Sequence, residues 1–136
     1  MPQPVAGEPG LLIVDATWGK ITPMILAPGV ATLGELELIE HITAGRPLID
    51  TRPERLYRAG TIPGARSIPH EQLTGSIGSL DPGVSTVFFC NGPQCAATPE
   101  AIATLLAGGY PPSAILYYRG GIHDWMTLGL PLEVPA

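Results

Sequence analysis

The stretch Val84–Gly109, VSTVFFCNGPQCAATPEAIATLLAGG, decides how the chain folds. It opens with an apolar, β-branched and aromatic run (Val84, Val87, Phe88, Phe89) that stops at Cys90. A Gly-Pro turn and a second cysteine, Cys95, follow. An Ala/Leu/Ile-rich helical pattern then runs to Gly108-Gly109. The order is a buried strand, a tight loop carrying thiols, and a helix. In open α/β sheets this order places a ligand at the carboxyl end of the strand, facing loop amides and a helix N-terminus. Amides and a helix dipole aimed at a thiol favour the thiolate, so Cys90 is expected to be the reactive sulfur. Thr98-Pro99-Glu100 reads as the helix start, with Thr98 as cap and Pro99 at the first helical position.

Working outward, strand and helix signals alternate. Thr32-Leu33-Gly34-Glu35 has the spacing of a capping box, and Leu33, Leu36, Ile39 and Ile42 recur at helical spacing up to Gly45. Pro47–Asp50 is a short buried strand, bracketed at its end by Asp50 and Arg52, which read as a structural ion pair and turn cap. Leu56-Tyr57 belong to a short turn closed by Gly60. Pro63-Gly64 is a turn before a short strand around Ser67-Ile68. His70 follows at once, in a place where a lone histidine is more often a capping residue than a base. Glu71–Ile77 suggests a short helix, and Ala114–Tyr118 another strand with Arg119-Gly120-Gly121 at its carboxyl end. A last short helix begins at Ile122, where His123 and Asp124 read as a solvated start and Trp125 as core; Leu130–Val134 is an extended tail. This alternation argues for an α/β sandwich with a mainly parallel sheet. Residues 1–31 are punctuated by Pro and Gly and read as an irregular N-terminal arm, with a short strand at Leu11–Val14 and with Trp18 and Met24–Leu26 pinning it to the body. Residues 32–136 are expected to form a single domain.

Composition narrows the function classes. The chain has 136 residues, enough for one core, and is 45% hydrophobic but only 14% charged. Seven scattered basic residues and a net charge of −5 offer no stripe for a phosphate backbone, so no nucleic acid is expected as partner. No apolar run approaches membrane-spanning length, and the N-terminus lacks a signal pattern; no membrane partner and a cytoplasmic location are expected. Two cysteines in such a chain suggest chemistry more than a stapled scaffold. With His41, His70 and His123 they show no ligand spacing, so neither a metal nor another cofactor is implied.

Three segments together resemble the rhodanese-like domains. LIDTRPERLYRAGTIPGARSIP (48–69) is similar to their strand-turn-strand signature, VFFCNGPQC (87–95) to their active strand and loop, and YYRGGIHDWMTLGLP (117–131) to their Gly-Gly, Trp and Gly-Leu-Pro segment. The resemblance runs from about Leu33 to Leu132. It implies a three-layer sandwich with a five-stranded, mainly parallel sheet and helices on both faces. It also implies a sulfurtransferase whose cysteine carries a sulfane sulfur as a persulfide. Cys90 matches the catalytic cysteine, and Asn91, Gly92, Pro93, Gln94 and Cys95 match the substrate-cradling loop. Asp50 and Arg52 match the family's Asp-x-Arg, and Arg119, Gly120 and Gly121 match the loop that borders the pocket. The substrates implied are a small anionic sulfur donor, such as thiosulfate or a persulfide, and a thiol, cyanide or sulfur-accepting protein.

The chain departs from the family pattern in three places. No charged residue lies between Cys90 and Thr98, so only backbone amides, with Arg119 or Arg52, are on hand to offset the donor's charge. Thr61 stands where the family often has histidine. Cys95 is additional and resembles a subgroup with a Cys-x-Gly-Pro-x-Cys loop. It is either a resolving cysteine, attacking the Cys90 persulfide to release sulfide and leave a disulfide, or an inert thiol packed at the helix start.

Three other readings meet the same residues. A phosphatase-type cysteine loop wants an arginine six residues after its nucleophile, and position 96 is alanine. A dithiol redox protein fits less well, because Cys-x4-Cys is not Cys-x-x-Cys. A non-catalytic or sulfur-relay interaction module fits the fold but leaves a cysteine in a polar Gly-Pro loop unexplained.

Overall fold

The computed structural model describes residues 3–4, 12–13 and 25–135. The elements in chain order are β1 (Gln3–Pro4), β2 (Leu12–Ile13), β3 (Ala31–Thr32), α1 (Glu35–Thr43), β4 (Leu48–Asp50), α2 (Glu54–Ala59), β5 (Arg66–Ser67), α3 (Leu73–Ser76), β6 (Thr86–Phe89), α4 (Ala97–Ala107), β7 (Ile115–Tyr117) and α5 (Gly121–Thr127). Single 3₁₀ turns flank α3 and precede β7. β1 and β2 pair antiparallel as a separate two-stranded sheet. Trp18 and Met24 lie outside the described residues.

The main sheet has five strands in the order β3-β7-β6-β4-β5, and every pairing is parallel. β6 is central and all four of its residues are buried, as expected of a strand covered on both faces. Alternation along it feeds two cores. Phe88 packs with Ile49, Ile102, Leu105 and Tyr117 under α3 and α4. Val87 and Phe89 pack with Leu38, Leu48, Tyr118, Ile122 and Trp125 under α1, α2 and α5. Trp125 closes this second core edge-on to Tyr118, and its indole N–H donates to the Pro131 carbonyl at 2.7 Å. The sandwich therefore has three layers.

Two helix starts differ from the sequence expectation for the same reason. Thr32 is a strand residue paired with β7, and α1 is capped by Gly34 without a side-chain bond. Glu35 does not reach back for a capping box; its carboxylate accepts the Tyr118 hydroxyl at 3.2 Å. α4 begins at Ala97, two residues earlier than expected, so Thr98 lies inside the helix with its hydroxyl turned into the core. In both cases a tertiary partner outcompetes the local cap. Leu26 and Ala27 pack on the first core, Val30 is buried in it, and Ala31 is already in the sheet.

The layering fixes where a site can form. α2, which follows β4, lies on the second core's face, while α4, which follows β6, lies on the first. β4 and β6 are neighbours in register, Asp50 opposite Phe89. Their following chains thus leave in opposite directions, opening a crevice at the carboxyl ends of the two strands. That is the topological switch point at which open α/β sheets bind ligands. Among the described residues, no helix is long and apolar enough to cross a membrane.

Candidate functional site

The chain leaving β6 at the switch point is Cys90–Ala96. Two amides at the start of α5 hold it: Ile122 N–H donates to the Cys90 carbonyl at 3.0 Å and His123 N–H to the Asn91 carbonyl at 2.7 Å. In a trans peptide the C=O and the following N–H point opposite ways. Drawing the Cys90 carbonyl toward α5 therefore turns the Asn91 N–H the other way, into the loop, where it donates to the Cys95 sulfur. The Ala97 amide, at the N-terminus of α4, donates to the same sulfur. Cys95 N–H closes a turn onto the Gly92 carbonyl at 3.0 Å.

This arrangement requires glycine at position 121. Its φ is +60°, and a Cβ there would collide with the Cys90 carbonyl oxygen and stand 2.8 Å from the Gly92 nitrogen. Gly92 is also crowded: a side chain would meet the Gln94 amide at 3.0 Å and His123 Cβ at 3.2 Å.

The two thiols are free and face each other in this loop. Cys90 is 2% exposed, whereas Cys95 is only half-buried. The Cys90 thiol donates to the Cys95 carbonyl oxygen at 3.7 Å and lies against the Cys95 side chain. That contact and burial push the Cys90 thiol well up, against the pull of the Thr98 hydroxyl and amide. Cys95 is lowered to about 6, first by the hydrogen bond from Cys90, then by the Ala97 and Asn91 amides and the charge of His70, with burial opposing. The loop thus favours one shared negative charge on the thiol pair.

Behind Cys90 lies a chain of hydroxyls. Thr51 donates from its amide and its hydroxyl to the Phe89 carbonyl, both at 3.0 Å, and its oxygen is 2.9 Å from the Thr98 hydroxyl. A charged sulfur on Cys90 would be met by the Thr98 hydroxyl and amide.

The sequence model of the Rhodanese-like domain matches residues 35–128. The chain belongs to the rhodanese-like domain family. It is 32% identical over 101 residues to an HTH-type transcriptional regulator of Mycobacterium tuberculosis, covering 74% of this chain but 43% of that protein. The chain thus spans less than half the length of that curated relative. Among solved structures it is similar to a thiosulfate sulfurtransferase from Pseudomonas aeruginosa, with 27% identity, a TM-score of 0.62, and 76% of this chain and 20% of that one covered. A human single-domain sulfurtransferase is 26% identical with a TM-score of 0.54, covering 74% of this chain and 97% of that one.

Within this rhodanese-like domain, Cys90, Asn91, Gly92, Pro93, Gln94 and Cys95 form one loop at the switch point. Arg119 stands in the β7–α5 turn, two residues before the glycine that abuts Cys90. Asp50 and Arg52 end the neighbouring strand but are fully engaged with their own surroundings. Their ion pair is 2.8 Å long and buried. Thr61, where the family often has histidine, donates to Asp50 at 2.9 Å, and Arg52 also donates to the Gly60 carbonyl at 2.7 Å. Arg52 is thus held away from the role of offsetting a donor's charge.

Two residues near the thiols, Thr51 and Thr98, were not singled out as site residues from sequence, and neither carried a local signal for it. His70 Nε2 lies 3.2 Å from the Glu100 carboxylate, and its Nδ1 lies 3.1 Å from Glu71, off line for a hydrogen bond. An apolar groove of about 370 Å³, lined by Ile39, Ile42, Pro63, Trp125 and Leu130, shares no residue with the thiol loop. Among the described residues no cluster of His, Cys, Asp and Glu has the makings of a metal site.

Proposed function

We propose that this domain is a sulfurtransferase. It accepts a sulfane sulfur from a small donor such as thiosulfate or a persulfide, holds it as a Cys90 persulfide, and yields it to a thiol or cyanide. The observation that carries this reading is the seat of Cys90, a buried thiol at the carboxyl end of the central strand, within reach of the Thr98 hydroxyl and amide. Splitting the transfer into two nucleophilic half-reactions is covalent catalysis. Amides, hydroxyls and a helix start stabilise the anions formed, doing the work of an oxyanion hole. No charged residue lies in the loop, and Arg119 is the cation we assign to the donor. Both cysteines are free, which suits work in the reducing cytoplasm.

The contact between the two thiols favours a second reading: reductive release. The Cys95 thiolate attacks the Cys90 sulfur of the persulfide, the outer sulfur leaves as hydrosulfide, and a Cys90–Cys95 disulfide remains. The relative that is a transcriptional regulator supports a third use, in which a partner protein receives the sulfur or senses it.

Intact mass after treatment of the reduced protein with thiosulfate or glutathione persulfide tests the first reading. One added sulfur per chain, found on Cys90 at equilibrium by fragmentation, is expected. The starting mass less two hydrogens, with no added sulfur and with free sulfide in solution, would favour reductive release instead. No sulfur from either donor would remove both.

A further inference from the structure

We propose that His70 is the positioning residue that admits anionic reagents to the thiol loop, and that this admission is lost as its imidazole gives up its proton. As a statement about sulfur donors it rests on the sulfurtransferase reading above; as a statement about the loop it stands apart from it.

The loop itself lacks a cation. No charged residue lies between Cys90 and Thr98, and Arg52 is closed into its pair with Asp50. His70 stands beside this gap. Its amide donates to the Thr51 carbonyl at 3.1 Å, and the Thr51 hydroxyl lies 2.9 Å from that of Thr98, which meets Cys90. Its ring reaches the first turn of α4, where Nε2 lies 3.2 Å from the Glu100 carboxylate. The Glu100 amide donates in turn to the carbonyl of Ala96, the neighbour of Cys95. Backbone and side chain together hold the imidazole on the side of the loop where Cys95 is half-exposed, and its charge acts on Cys95.

The surroundings of the ring suit the imidazolium. A neutral imidazole donates from one nitrogen and carries a lone pair on the other. Here both nitrogens face a carboxylate: Nε2 that of Glu100, and Nδ1, which is shut off from solvent, that of Glu71 at 3.1 Å. In the neutral ring one of these contacts sets a lone pair against a carboxylate oxygen. The doubly protonated ring removes that conflict.

The ionisable groups facing His70 are Glu71 on its own turn, Glu100 on α4 and Cys95 in the loop. The side chains of Glu71 and Glu100 are 60% and 63% exposed, that of His70 only 35%. Water and salt therefore screen the two carboxylates more than the imidazolium. Loss of the ring proton leaves both carboxylates unopposed, and an anion nearing the loop is then repelled. A dianionic donor such as thiosulfate feels this control most, and an uncharged alkyl persulfide least.

The test compares two alkylating agents of similar size, anionic iodoacetate and neutral iodoacetamide, on the reduced chain. Cys90 and Cys95 are its only cysteines, so intact mass counts alkylation of the loop directly. The ratio of the two rates cancels the fraction of thiolate and reports the charge that the reagent meets. In the wild type this ratio should fall by about threefold between about pH 5 and 8, the range in which histidine changes charge. His70→Gln, which keeps an amide to bond Glu100 but carries no charge, should give a low ratio that does not change with pH. His70→Arg, charged throughout, should give a high ratio that does not change with pH, an outcome that a merely structural role for His70 would not produce. Urea melts check that the variants fold. A ratio that is flat in the wild type, or that falls equally in either variant, overturns the proposal. No sulfur donor enters this experiment, so a chain that takes up no sulfur removes the sulfurtransferase reading and leaves the result on His70 standing.

Discussion

Two neighbouring strand ends meet at the switch point, and they do opposite things with buried polar groups. At the end of β4, Asp50 and Arg52 satisfy each other, and Thr61 and the Gly60 carbonyl take the remaining bonds. At the end of β6, two thiols lie side by side in a loop with no charged residue, where amides favour a charged sulfur. The first is closed to ligands and rigid. The second keeps an anion that another molecule can still reach. Burial is common to both; the difference lies in whether the charges are already paired, and that separates a structural centre from a reactive one.

Breaking the first centre should cost most. Asp50→Ala leaves Arg52 buried without its carboxylate, and stability is expected to fall by about 3–5 kcal/mol. A urea melt checks this, and the folded fraction should still take up sulfur. Gly121→Ala works on the second centre. Holding a non-glycine residue at φ +60° costs about 1–3 kcal/mol, and the clash with the Cys90 carbonyl should push the loop off α5. Its diagnostic is reactivity. In the wild type the rate of Cys95 alkylation should rise with pH through about 6 and then level, because the thiolate is the reactive form. In Gly121→Ala, with the Asn91 amide no longer aimed, that midpoint should move upward. An unmoved midpoint would mean that the grip of α5 does not set the loop. The smallest effect is the control. Arg58 and Glu54 form an exposed pair on α2, and Glu54→Ala should change stability by no more than about 0.5 kcal/mol and leave sulfur uptake alone. A larger loss there would show that pairing in itself, and not buried pairing, stabilises this fold.

Much of this contrast was legible in the sequence, and the illegible parts share a cause. β4, β6 and β7 announce themselves as short apolar runs, and the Cys-loop-helix order after β6 points to the carboxyl edge of the sheet. The Asp50–Arg52 pair was readable because its members are two residues apart. β3 was missed as a strand because two residues at a sheet edge carry no pattern, and Thr32 and Thr98 looked like caps because their real surroundings, β7 and Thr51, are distant in sequence. The place of His70 beside Glu100 is of the same kind, set by packing between α4 and the turn after β5.

The central claim is that the thiol loop carries sulfane sulfur. It is tested most directly by loading the reduced chain with glutathione persulfide, removing the donor, adding cyanide and measuring thiocyanate. The account predicts one thiocyanate per wild-type chain and none from the folded Cys90→Ser/Cys95→Ser double variant. Wild-type protein that yields no thiocyanate, or a double variant that yields as much as the wild type, would contradict it.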